Sequence, residues 1–179
     1  MVVLSRPPMS TASPVLVGAG ALPELVMRDA VRTLARHGRC SWRDHGVGEC
    51  PQTVLQQTAA SSDLLRLSGD PAELHASGGT WLQALADWQR PTLLMVRARP
   101  DGGIPGSAAA YAALAERVQL PLLGLVQLEG EWDRASRIRD GLPWCGWIPH
   151  SGHPLHNEAV MALAQRVLPQ AIGVGSGSH

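Results

Sequence analysis

Three stretches decide the fold: Pro91–Val96 (PTLLMV), Leu120–Gln127 (LPLLGLVQ) and Pro143–Pro149 (PWCGWIP). Thr92–Val96 is apolar throughout, as expected of a strand covered on both faces rather than one exposed on alternate residues. A Gly/Pro-rich turn, Pro100–Pro105, and an Ala-rich helical segment, Gly106–Val118, separate it from the next buried strand at Pro121–Val126. A short helix at Trp132–Arg139 then leads to a last strand, Trp144–Ile148 (WCGWI). Leu155–Leu168 closes the pattern as a helix with Ala159, Leu163 and Val167 on one face.

The same alternation extends towards the N-terminus. Pro14–Val17 (PVLV) is a short apolar run that stops at Gly18-Ala19-Gly20. Pro23 suits the first position of a helix, where its missing N–H is no loss. Val26, Ala30, Val31 and Leu34 recur at helical spacing up to Gly38, the expected C-cap. Residues 39–50 carry no clear period, and Pro51–Ala60 reads as a weak helix. Asp63 opens the run Leu64-Leu65-Arg66-Leu67, which ends at Ser68-Gly69-Asp70, and Thr80–Trp88 reads as a helix. These elements predict a three-layer α/β domain with a mostly parallel sheet, helices on both faces and right-handed crossovers. Strands are expected near 15–17, 64–67, 92–96, 122–126 and 145–148. Residues 1–13, with Pro7 and Pro8, read as an irregular leader, 14–170 as the domain, and 171–179 as a flexible Gly/Ser tail. Ligands in such folds bind beyond the carboxyl ends of the strands. That rule selects the loops 18–23, 68–80, 97–106 and 148–154.

Composition narrows the function classes. With 45% hydrophobic and 17% charged residues in a chain of 179, a compact core is expected. The 15 basic residues are all arginine and balance 15 acids, so the basic excess of a nucleic-acid-binding domain is missing. The densest basic cluster, Arg134, Arg137 and Arg139, reads as a solvated helix face. Cys40, Cys50 and Cys145 are odd in number and suggest free thiols in a reducing cytoplasm rather than a disulfide framework. No signal-peptide pattern is present, and no apolar run approaches the ~20 residues that span a bilayer, so no membrane insertion is expected.

The order of motifs resembles the dethiobiotin synthetase group of P-loop proteins, which includes cobyrinic acid amide synthases and ParA-like ATPases. The stretches carrying it are Pro14–Gly20 (PVLVGAG), Asp63–Asp70 (DLLRLSGD) and the three quoted first, with order and spacing fitting best over residues 91–149. The resemblance implies a P-loop NTPase-like fold and, as is common in that family, a homodimer. It places Gly18 and Gly20 in the phosphate loop, Asp70 near an acidic strand end, Gln127 at an adenine-side Asn, and Pro149 at the last strand end. The departures fall on the chemistry. A phosphate loop needs a Lys at the β/γ-phosphates and a Ser/Thr on Mg²⁺. Here residues 18–25 (GAGALPEL) put Pro23 and Glu24 there, and the chain contains no lysine. Arginine's planar fork is no ready substitute, and Glu24 repels phosphate. Ser68 replaces the family's Glu.

The expectation is therefore a degenerate member without catalytic residues, metal or required cofactor. It could still hold a nucleotide but not hydrolyse it, and would serve as a binding, assembly or regulatory module. Two alternatives are an ATP-dependent ligase of the dethiobiotin synthetase type and a metal-dependent enzyme. The metal reading rests on His150, His153 and His156 with Cys145, residue types that suit zinc; the simpler reading is solvated histidines at a pocket rim, where His150 could touch a ligand. Arg97 and Arg99 stand in RARPDGGIPG, which either holds an anion before a helix N-terminus or simply turns the chain. Thr80 reads as an N-cap, and Asp44 and His45 as structural. Trp144 and Trp147, three apart on one strand, are expected on opposite faces. With Trp132 they mark residues 130–150 as a surface for a protein partner or a second copy, or else pack the core.

Overall fold

The computed structural model describes residues 12–168; the expected tail and almost all of the leader lie outside that span. The elements alternate throughout: β1 (Val15–Gly18), α1 (Glu24–Gly38), β2 (Trp42–Gly46), α2 (Pro51–Gln57), β3 (Leu64–Ser68), α3 (Trp81–Asp87), β4 (Thr92–Arg97), α4 (Ser107–Arg117), β5 (Leu122–Leu128), α5 (Arg134–Arg139), β6 (Trp144–Ile148) and α6 (His156–Val167). The strands form one six-stranded sheet in the order β2-β3-β1-β4-β5-β6, and every named pair is parallel. The sheet alternation sorts the core into two layers. Val15, Val17, Leu65, Leu67, Leu94 and Val96 pack with α2, α3 and α4. Leu16, Leu64, Leu93, Met95 and Val126 face α1 and α6. Buried on both sides, the central strands have the unbroken apolar runs that mark them in the sequence.

Four local expectations are corrected. Residues 42–46 (WRDHG), unassigned from sequence, form the edge strand β2; an edge strand with one exposed flank needs no apolar run. Gly38 remains helical, and Arg39 takes the left-handed C-cap conformation at φ 53°. A Cβ at Gly38 would lie 2.0 Å from Leu168 Cδ1, so that glycine lets the end of α6 pack close, and any side chain there would make the Leu168 methyl shift. Pro23 is the N-cap of α1, one residue before its expected place. The face of α6 is Val160, Leu163, Ala164 and Val167, with Ala159 only partly covered.

The correction that matters most for the surface lies in β6. Leu125 pairs with Trp144 but Val126 pairs with Gly146, which leaves Cys145 as an extra residue. Such a bulge shifts the side-chain alternation by one place. Trp144 and Trp147 therefore share the α5 side of the sheet, whereas an unbroken strand would put them on opposite faces.

Candidate functional site

The loops after β1, β3, β4 and β6 converge at the carboxyl edge of the sheet, as parallel topology dictates, together with the loop after β5. At the β1 end the backbone doubles back sharply. A Cβ on Gly18 would sit 2.4 Å from the Gly20 carbonyl oxygen, and Gly20 itself has φ +95°. Beside this turn the Tyr111 hydroxyl, from α4, donates to Asp70 Oδ1, which also accepts from the Ala72 amide at 2.9 Å. Burial, followed by that carboxylate, raises the Tyr111 pKa well above the usual phenol range. Gly18, Gly20 and Asp70 thus come together, with Tyr111 as a member that sequence reasoning missed.

The position expected for a phosphate-loop lysine is occupied differently. Arg66 on β3 is almost fully buried and points towards α1. Its two terminal nitrogens donate to Glu24 at 2.8 and 2.5 Å, and its Nε donates to Asp44 on β2. Arg28 adds a second cation to Glu24 at 3.1 Å. The Arg66 hydrogen bonds, and then the neighbouring positive charges, hold the Glu24 carboxyl below its ordinary pKa despite some desolvation. The first turn of α1 therefore presents a carboxylate locked in a bidentate pair. That arrangement opposes the positive end of the helix dipole that anion binding exploits.

Across the sheet a cleft of about 720 Å³ gathers Arg97, Arg99, Glu129, Glu131, His150 and His153. Arg97 is paired with Glu129 at 2.7 Å. Gln127 is fully buried beneath it: its Nε2 donates to the Glu129 and Glu131 carbonyls at 2.9 and 3.0 Å, shaping that loop. Pro149 is also buried, and its carbonyl accepts from His156 Nδ1 at 2.8 Å. His150 and His153 lie 5.7 Å apart, ring to ring, while His156 is turned away to Pro149. Cys145 donates to the Leu125 carbonyl, and burial pushes its thiol up to about 12. Among the described residues, no three His, Cys, Asp or Glu side chains gather as a metal set.

The three tryptophans do assemble. Trp132 stacks on Trp147 with centroids 6.1 Å apart and meets Trp144 edge-on at 6.1 Å. All three are half-buried. Arg137 is not part of a solvated face: it is buried, donates to the Gly102 carbonyl at 2.7 Å, pairs with Asp140 and lies over the Trp144 ring. Thr80 is an N-cap with a full capping box, as expected.

This topology and its carboxyl-edge loops define a P-loop NTPase-like α/β fold. Among solved structures the chain is similar to the MinD cell division protein of Aquifex aeolicus. The TM-score is 0.53 at 9% identity, over 87% of this chain and 96% of that one. At that identity the likeness establishes the fold alone, and it does not reach the dethiobiotin synthetase group. No protein-family model matches the chain, and no curated protein is similar to it in sequence. Among the described residues, no helix is long and apolar enough to cross a membrane.

Proposed function

We propose that this chain is a non-catalytic P-loop-like protein, degenerate with respect to the dethiobiotin synthetase group, that acts in the cytoplasm as a binding or assembly module. The observation that carries the reading is the Glu24–Arg66–Asp44 network. It fills with internal ion pairs the place where phosphoryl chemistry needs a free lysine and a hydroxyl. The expected outcome is no phosphate release from Mg·ATP above background; steady-state turnover that persists through purification and is lost in an Asp70→Ala variant overturns the reading. The motif order over 91–149 supports the distant relationship. The ligase alternative loses its phosphate contacts to Glu24, and the histidine-loop alternative loses His156 to Pro149.

The surface we assign to this module is the indole cluster of Trp132, Trp144 and Trp147, which serves either self-association or a protein partner. Large half-buried indoles supply contact area with few rotors to immobilise. Trp132→Ala is expected to weaken association by about 2 kcal/mol, roughly 30-fold, while leaving the fold intact. Sedimentation of the purified chain, alone and with any co-purifying protein, measures this. A strict monomer without a partner counts against the surface.

A further inference from the structure

β6 is the last strand of the sheet, so one of its flanks has no neighbouring strand. Unpaired strand edges are normally blunted by lysines, prolines, bulges or a covering element, because they template pairing with another chain. β6 is bulged at Cys145, whose carbonyl already accepts from Arg166, so the flank offered for pairing is the rest of the strand. Here α5 and α6 stand on opposite faces of the sheet and leave a groove of about 650 Å³ along that edge. The indoles form one wall. The α6 wall is low, because Ala159 and Ala162 stand where larger side chains would close it. Ile138, 69% exposed, adds an apolar contact at the α5 end.

The charged side chains that line this groove are Arg134, Arg137 and Arg166, with one carboxylate, Asp140, at its margin accepting from the Trp144 indole N–H at 2.9 Å. Arg137 is neutralised by Asp140 at 3.0 Å. Arg166 donates to the Cys145 carbonyl at 3.0 Å, and neither it nor Arg134 has a carboxylate partner among the described residues. In a chain of zero net charge, an apolar groove with two uncompensated guanidinium groups is a local bias, not a property of the whole surface. We propose that this groove binds an extended, acidic peptide segment of a partner protein, laid along β6 as an added strand. This rests on the binding-module reading above and specifies its partner. Backbone pairing to the open edge supplies affinity, and alternate side chains meet the indoles and the arginines. Single-stranded nucleic acid is disfavoured, because the Trp132 ring is already stacked on Trp147 and two free cations make no continuous phosphate track.

The test is selection of short random displayed peptides on the immobilised full chain, followed by fluorescence titration of the enriched peptides. Enriched sequences are expected to carry an excess of Asp and Glu and to bind more weakly as salt rises. They should lose about tenfold or more in affinity on Arg134→Glu, a substitution of an exposed side chain that leaves the fold intact by circular dichroism. Enriched peptides without an acidic excess, or indifferent to Arg134→Glu, overturn the acidic assignment. If such peptides are still lost on Trp132→Ala, the indole surface survives as a binding site of another chemistry. Preferential binding of oligothymidylate, or the absence of any enriched peptide, overturns the inference. ATP turnover, by contrast, sinks the parent reading and leaves the peptide result intact.

Discussion

Replacing Glu24 and Asp44 together by alanine is expected to destabilise the fold by about 3–5 kcal/mol. The side chain of Arg66 is only 2% exposed, against 48% for Glu24 and 35% for Asp44. Removing both acids therefore leaves a guanidinium on a buried stem without its anionic partners, whereas removing the arginine leaves two carboxylates that already face water. The asymmetry yields a second expectation. Adding Arg66→Met to the double variant should recover most of the loss, because a buried ion pair replaced by an apolar side chain of similar volume is often neutral. Urea unfolding reads both effects as midpoint shifts at unchanged slope. A double variant as stable as the parent would mean that Arg66 is solvated and that the network is a surface feature.

The same network sets a direction for acid sensitivity. The Glu24 carboxyl lies below its ordinary value of 4.5, chiefly through the Arg66 hydrogen bonds. A carboxyl depressed in the folded state binds its proton more readily in the unfolded one. Its contribution to stability is complete above the unfolded value and fades as pH falls through the lower, folded value. The acid limb of the stability profile should accordingly flatten in Glu24→Gln. At neutral pH and above the variant should lack this contribution throughout, with no further pH dependence from this group.

The central sheet was legible because its strands are buried on both faces, which leaves uninterrupted apolar runs such as Thr92–Val96. β2 was not legible, because an edge strand relaxes that demand and WRDHG carries no apolar alternation. The shared face of Trp144 and Trp147 was hidden for a different reason. A bulge changes the side-chain phase, and glycine at 146 is its only local trace. Of the candidate site, the convergence of Gly18, Gly20 and Asp70 followed from topology alone, as did that of Arg97, Arg99 and His150. The partners that define their chemistry came from distant elements. Tyr111 reaches Asp70 from α4, and Glu24 reaches Arg66 across 42 residues. One signal was available in advance: a lone arginine inside LLRL must find anions when its strand is buried, although nothing in the sequence singled out Glu24 and Asp44 among the other acids.

Trp81→Ala is expected to cost about 3–5 kcal/mol, by a mechanism unrelated to the surface indoles. Trp81 is 2% exposed and is among the largest fully buried side chains of the described residues. It opens α3 directly after the Thr80 capping box, so its position is fixed by the helix start as well as by packing. Its ring fills the layer formed by α2, α3 and α4, and its Nε1 donates to the Val47 carbonyl at 2.9 Å. That bond ties the loop after the edge strand β2 to the core; the Val47 amide is held separately by the Ser68 carbonyl at 2.9 Å. Alanine therefore creates a cavity and removes a donor in one step. Trp81→Phe keeps much of the volume and loses the donor, so a smaller cost of about 1–3 kcal/mol is expected from the unsatisfied carbonyl. Urea unfolding combined with near-ultraviolet circular dichroism separates these outcomes from the Trp132→Ala variant, which should weaken association with a smaller midpoint shift, from the lost indole contacts alone. If Trp81→Ala shifts stability by less than about 1 kcal/mol, the site has collapsed around the missing ring and the α3 layer is not close-packed.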